Sequence, residues 1–226
     1  MQKNAENTGS CDGRRKHYLS LPYHLLESAD SCAVKVFLAV QEYAKAQMTG
    51  REYVSAQTIS CILHDAPNIN IEEYGLALKK ICKLGYISAR GNGWYMCVKD
   101  AFVCEDTYYT LIDYEEYHAI IYSNKKNKDA LLLHFCNLVR AINYETKIGF
   151  TSLQTLAKRE KTLEKNLTNY NKVLRDMKLI AIAGRGLSKS GGKYLTNVYC
   201  RYADAGVLKR YARSSDESGQ FDDLFY

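Results

Sequence analysis

Val54-Ser55-Ala56-Gln57-Thr58-Ile59-Ser60 and Thr151-Ser152-Leu153-Gln154-Thr155-Leu156-Ala157 are two versions of one pattern in a chain of 226 residues. Ser55, Gln57, Thr58 and Ile59 fall on Ser152, Gln154, Thr155 and Leu156 at a constant offset of 97, which also sets Ala33 on Ala130 and Ala44 on Ala141. Farther along, Lys83-Leu84-Gly85-Tyr86-Ile87 corresponds to Asp176-Met177-Lys178-Leu179-Ile180 at an offset of 93, so a shorter turn in the second copy absorbs four residues. Self-similarity of this kind marks one folding unit used twice.

Before the pattern each copy carries an amphipathic helix, roughly Ser31 to Ala46 and Lys128 to Ile142, with apolar residues at helical spacing. A short extended piece follows, Glu52 to Ser55 and Ile148 to Thr151. Ser55 and Ser152 then serve as N-caps, because a serine hydroxyl accepts from the free backbone N–H groups of a short second helix. The third helix of the second copy has its apolar residues at Leu163, Leu167, Tyr170, Leu174 and Met177, one narrow stripe. Two strands close each unit. In the first copy they are Tyr86 to Ala89 and Trp94 to Val98, around the tight Arg90-Gly91-Asn92-Gly93; in the second, Leu179 to Ala183 and Tyr194 to Tyr202, around a Gly-rich stretch from Gly184 to Lys193.

Helix, short strand, helix, helix, strand, wing, strand: over residues 18 to 202 this order resembles the winged-helix family. The resemblance implies a mainly α chain with small β-hairpins, an α+β fold of two tandem winged-helix domains. The expected organisation is a disordered arm (1–16), a first winged helix used for packing or dimerisation (17–100), an acidic connector (101–122), a basic second winged helix (123–213) and an acidic tail (214–226).

Charge separates the copies. Residues 17–100 hold eight Lys/Arg and eight Asp/Glu, residues 101–122 hold five acids and no Lys or Arg, and residues 123–213 hold nineteen Lys/Arg against six Asp/Glu. Dispersed charge would serve solubility equally well, so a basic half points to a polyanion partner. A winged helix typically sets its third helix in the major groove and its wing over the adjacent backbone. Opposite the apolar stripe, that helix of the second copy presents Lys161, Lys165, Thr168, Asn169, Lys172 and Arg175, with Lys158 and Arg159 just ahead of it. These are cations for phosphates or guanine edges and an amide able to pair with adenine. Arg185, Lys189 and Lys193 populate the wing. In the first copy the same helix begins Asn70-Ile71-Glu72-Glu73-Tyr74, whose carboxylates would repel a phosphate backbone.

Other chemistries find little support. No stretch approaches the roughly 18 unbroken apolar residues of a membrane span, and Met1 to Lys16 is polar, so a soluble cytoplasmic chain without a membrane partner is expected. Eight cysteines are scattered with no C-x-x-C pair, and several lie in apolar runs where cysteine acts as a small buried hydrophobe. His17, His24, His64, His118 and His134 form no metal-binding spacing, and no P-loop is present. The Gly184 to Gly192 cluster lacks a following helix to hold phosphate. No catalytic residue, metal or cofactor is therefore expected, and the chain is read as not an enzyme. Of nineteen tyrosines, Tyr18, Tyr23, Tyr43, Tyr144 and Tyr170 sit among apolar residues and read as structural.

Tyr18-Leu19-Ser20-Leu21-Pro22-Tyr23-His24-Leu25-Leu26, followed by a helix, resembles the start of DnaD-like primosome proteins and of plasmid or phage replication initiators. A second winged helix in place of a DnaD-type second domain fits the plasmid initiators better. The resemblance implies binding of double-stranded DNA at an origin and recruitment of helicase, loader or sliding clamp. A winged-helix transcriptional regulator, whose first copy would form a homodimer or sense a ligand, and a non-catalytic adaptor bridging proteins through both copies remain as alternatives. Gln220, Phe221, Leu224 and Phe225 in the tail resemble the Gln-led, Leu-Phe-ended peptides that dock on bacterial sliding clamps. The tail could also fold back on the basic copy, or be a solvated terminus.

Overall fold

Asp30 and Asn127 each precede a helix that is buried on almost every side, and the chain is built around that pair. The structure, a computed structural model, describes residues 17–28, 30–47, 51–65, 70–98, 108–184 and 196–216. Its first half runs β1 (Tyr18–Pro22), α1 (Tyr23–Ser28), α2 (Ser31–Ala46), β2 (Arg51–Val54), α3 (Ala56–Ile62), α4 (Ile71–Lys83), β3 (Ser88–Gly91) and β4 (Trp94–Val98). The second runs β5 (Tyr109–Asp113), α5 (Tyr114–Ile121), α6 (Lys128–Ala141), β6 (Gly149–Phe150), α7 (Leu153–Glu160), α8 (Glu164–Asp176), β7 (Ile180–Ala183) and β8 (Val198–Arg201). A 3-10 turn, Tyr202–Asp204, leads into α9 (Ala205–Asp216). The fold is mixed α and β, with small antiparallel sheets ordered β1-β5, β2-β4-β3 and β6-β8-β7.

Each element of the first half thus has a counterpart in the second, and the repetition begins earlier than the quoted pattern. Within the acidic stretch read as a connector, β5 and α5 match β1 and α1. The two strands pair with each other in a register symmetric about Ser20 and Leu111. Flanking bonds obey the same symmetry: Tyr23 N donates to Tyr108 O at 2.8 Å, and Tyr114 N to His17 O at 3.1 Å. Equivalent surfaces meeting in this way are what a local two-fold axis produces.

A shared core follows. Val34, Phe37, Leu38 and Val40 of α2 and Leu131, Leu132, Phe135 and Leu138 of α6 are buried in one cluster with Tyr74, Tyr117, Leu156 and Leu174. A helix apolar all round belongs inside a protein, which places α2 and α6 centrally. Lys35 of α2 is buried with them, Nζ 2.9 Å from Asp129 and donating to the Tyr74 hydroxyl at 3.0 Å. Burial alone would lower its pKa, but the Asp129 carboxylate outweighs it and holds the ammonium charged. A second, smaller cluster lies under α9, where Leu208 and Ala212 cover Ala181, Ala183, Val198 and Cys200. The corresponding first-half sheet leaves Tyr53 53% and Trp94 46% exposed.

Local readings from the sequence carry over in part. Ser55 and Ser152 cap α3 and α7, accepting from the Thr58 and Thr155 amides at 3.2 and 3.0 Å. In the first-half turn Gly91, Asn92 and Gly93 all have positive φ. Cys32, Cys97, Cys136 and Cys200 are buried thiols, Cys61 is exposed and Cys82 partly buried; Cys11 and Cys104 lie outside the described residues. Three readings need correction. Leu163 is not core but 71% exposed, because it is the extended residue before α8 and helical spacing does not apply to it. Tyr144 sits in a turn, 65% exposed, with Lys147 Nζ 4.0 Å from its ring centroid. The buried Tyr86 and Ile87 precede β3 instead of belonging to it.

Candidate nucleic-acid interface

Leu167, Asn171 and Leu174 are the buried residues of α8, and their i, i+4, i+7 spacing defines which side of the helix faces outward. Lys165, Asn169 and Lys172 have the same spacing on the far side, and all three are exposed. Thr168 and Arg175 flank this face, also seven residues apart. Thr168 is exposed, and its hydroxyl donates to Glu164 O at 3.0 Å. Arg175 is half-buried, with Nε enclosed and lacking an acceptor among the described residues. Two acids, Glu164 and Asp176, are exposed on the same helix. A duplex would meet Asp176 beside Lys172.

Lys158 and Lys161 are exposed where α7 passes into α8, on the rim of a shallow concavity of about 320 Å³ that also includes Gln154, Thr162 and Leu163. Lys161 itself adopts φ 51, the left-handed conformation that ends α7. Lys158 and Lys161 therefore border the start of α8, beside Glu164. Arg159 does not: it points to the other side of α7, half-buried, toward Arg140 at the end of α6. Arg185, Lys189 and Lys193 of the Gly-rich stretch, and Gln220, Phe221, Leu224 and Phe225 of the tail, lie outside the described residues.

Behind the face is a polar centre that sequence spacing did not suggest. His134 on α6 is fully buried; Nδ1 lies 3.0 Å from Glu160 Oε1 on α7, and Nε2 lies 3.0 Å from Asn171 Oδ1 on α8. One histidine thereby ties together α6, α7 and α8 and fixes how α8 is presented. In the first half α4 exposes Glu72 and Glu73 in its first turn, and Lys80 is occupied by Asp30 at 3.2 Å.

Among the described residues no group of three His, Cys, Asp or Glu side chains is arranged to hold a metal ion, and no helix is long and apolar enough to cross a membrane. Neither a protein-family model nor a curated protein matches the chain.

Proposed function

We propose that this chain is a double-stranded DNA-binding protein of the cytoplasm, built from two tandem winged-helix units, with α8 as the groove-reading helix. One observation carries the reading. Lys165, Asn169 and Lys172 occupy a single uncovered face of the third helix in the half that holds nineteen Lys/Arg against six Asp/Glu. Lys158 and Lys161 extend that face toward flanking phosphates, which set register and orientation, while Asn169 and the α8 cations are within the reach of base edges. The first unit, with Glu72 and Glu73 on its third helix, serves as the packing partner through α2 and β1, and any DNA contact it makes is secondary.

The role proposed is initiation of replication at a plasmid or phage origin with recruitment of replication proteins; it rests on the Leu-Pro leader and the paired units. Gel-shift titration on fragments of the chain's own replicon tests both levels. Lys165→Glu/Lys172→Glu should abolish duplex retention, whereas Glu72→Gln/Glu73→Gln should leave it intact. Retention unchanged by the charge reversal would remove DNA binding through α8. A footprint on directly repeated sites supports the initiator; a footprint on one palindrome over a promoter supports a regulator instead, because operator symmetry mirrors dimer symmetry.

A further inference from the structure

Between the end of α6 and the start of α7, Arg140, Arg159, Thr151, Ser152, Thr155 and Thr196 line an open cavity of about 460 Å³. Its two arginines are only partly matched by acceptors. Arg140 Nη2 donates to Glu27 Oε1 at 2.5 Å and its guanidinium carbon lies 4.3 Å from the Tyr23 ring centroid, but Nη1 is enclosed with no acceptor among the described residues. Arg159 makes neither a hydrogen bond nor an ion pair among the described residues. Desolvation, and then the charge of Arg140, push its pKa below the ordinary arginine value. Glu27 is 57% exposed and holds one edge of one guanidinium. Glu160, next to Arg159 in sequence, is turned inward to His134 and is 3% exposed.

The internal repeat shows which of these features the fold requires. Ser152 and Thr155 correspond to Ser55 and Thr58; each serine caps the helix that follows, α7 or α3, and its hydroxyl is hydrogen-bonded to that of the threonine, so these hydroxyls are engaged locally in each copy. Arg140 and Arg159 correspond to Tyr43 and Ile62, which pack against the core. One half closes this corner with apolar side chains, so packing does not demand two cations in the other. A buried donor without an acceptor is unfavourable, and two guanidinium groups around one polar hollow repel until an anion separates them.

We infer that this cavity is a phosphate-binding site, in which a phosphate group accepts hydrogen bonds from Arg140 and Arg159 together. The phosphate comes either from the backbone of a bound duplex, in which case the site rests on the DNA-binding reading, or from a free phosphoanion, in which case it does not.

The test compares parent, Arg159→Gln and Glu27→Gln proteins, each checked for an unchanged circular dichroism spectrum. Arg159→Lys serves as the conservative control that keeps charge. In the first arm, unfolding temperature is followed against inorganic phosphate and against chloride at matched ionic strength. Phosphate strengthens burial in general, so the informative quantity is the difference between proteins. The rise for the parent should exceed that for Arg159→Gln, and Glu27→Gln, freed of a competing carboxylate, should show the largest rise. In the second arm, duplex affinity is measured against salt, with Arg159→Gln expected to flatten the slope by about one phosphate contact. An effect in the first arm alone identifies a free phosphoanion, and one in the second alone a backbone phosphate. If phosphate raises all three proteins equally and Arg159→Gln leaves the duplex slope unchanged, the site is refuted. That refutation leaves α8 untouched if the Lys165 and Lys172 changes still weaken duplex binding. Conversely, a phosphate effect in a protein that binds no duplex keeps the site and discards the DNA reading.

Discussion

His134 stands where the first half has Phe37, Glu160 where it has Leu63, and Asn171 where it has Leu78, and all three apolar counterparts are buried. The second half has exchanged an apolar contact for a hydrogen-bonded one. Such a set adds little while intact and costs much when broken, since a lone carboxylate is left without water. Urea denaturation should show His134→Phe losing about 3 kcal/mol or more. The triple change His134→Phe/Glu160→Leu/Asn171→Leu, which copies the first half, should recover most of that. Asp30 offers a simpler case, capping α2 by accepting from the Ala33 amide at 2.8 Å. Burial acts to raise its pKa, but the Ala33 N–H and Lys80 outweigh it, and the carboxyl is held below its ordinary value. The folded value therefore lies below the unfolded one, so its stabilisation is present above about pH 4 and is lost as pH falls through the folded value. Asp30→Ala should cost about 1 kcal/mol at neutral pH, nearly all from the cap. Its pair with Lys80, solvent-accessible on both sides, adds little, and the parent and variant should converge as the solution is acidified. The serine caps were legible in the sequence because capping is local. The His134 centre was not, since its partners lie 26 and 37 residues away and meet only through helix packing.

Among the elements, α8 was read well along its length and misread at its start. The spacing of Leu167 and Leu174 gave the correct inward side, and hence the outward side with Lys165, Asn169 and Lys172. Leu163 was carried along by the same spacing although the helix begins after it. Leu163→Ala should shift stability by no more than about 0.5 kcal/mol, as expected for an exposed site, whereas Leu167→Ala should cost about 2–5 kcal/mol in the same urea titration. Strand β6 shows a constraint that composition hides. A side chain at Gly149 would place Cβ 2.6 Å from the Ala141 carbonyl oxygen, at the end of α6. Gly149→Ala should therefore destabilise by about 1–3 kcal/mol through overpacking against backbone, which has little room to yield. Helix α9 was missed because only Leu208 and Ala212 are buried against the sheet, with Ala205, Val207 and Tyr211 partly covered, too sparse a stripe to stand out in a charged segment.

The two halves are tied by more than sequence continuity. β1 pairs with β5, α2 and α6 share one buried cluster, and Lys35–Asp129 and Arg140–Glu27 join them. This plan was half visible. The repeat announced two equivalent units, but β5 and α5 were concealed in a stretch whose acids and offset broke the pattern. Because neither half can expose α2 or α6 without uncovering the other, calorimetry should show one cooperative transition with equal calorimetric and van't Hoff enthalpies. Two separable transitions would mean the shared core is not what holds the halves together. The functional reading places one demand on this architecture, that the uncovered side of α8 be the surface that meets a duplex. Duplex affinity followed against salt concentration, for the parent and for Lys165→Ala, Lys172→Ala and their double variant, examines that demand alone. We predict a steep linear fall of log affinity with log salt, its slope reduced by about 0.9 for each lysine removed. Identical affinities and slopes for all four proteins would contradict it.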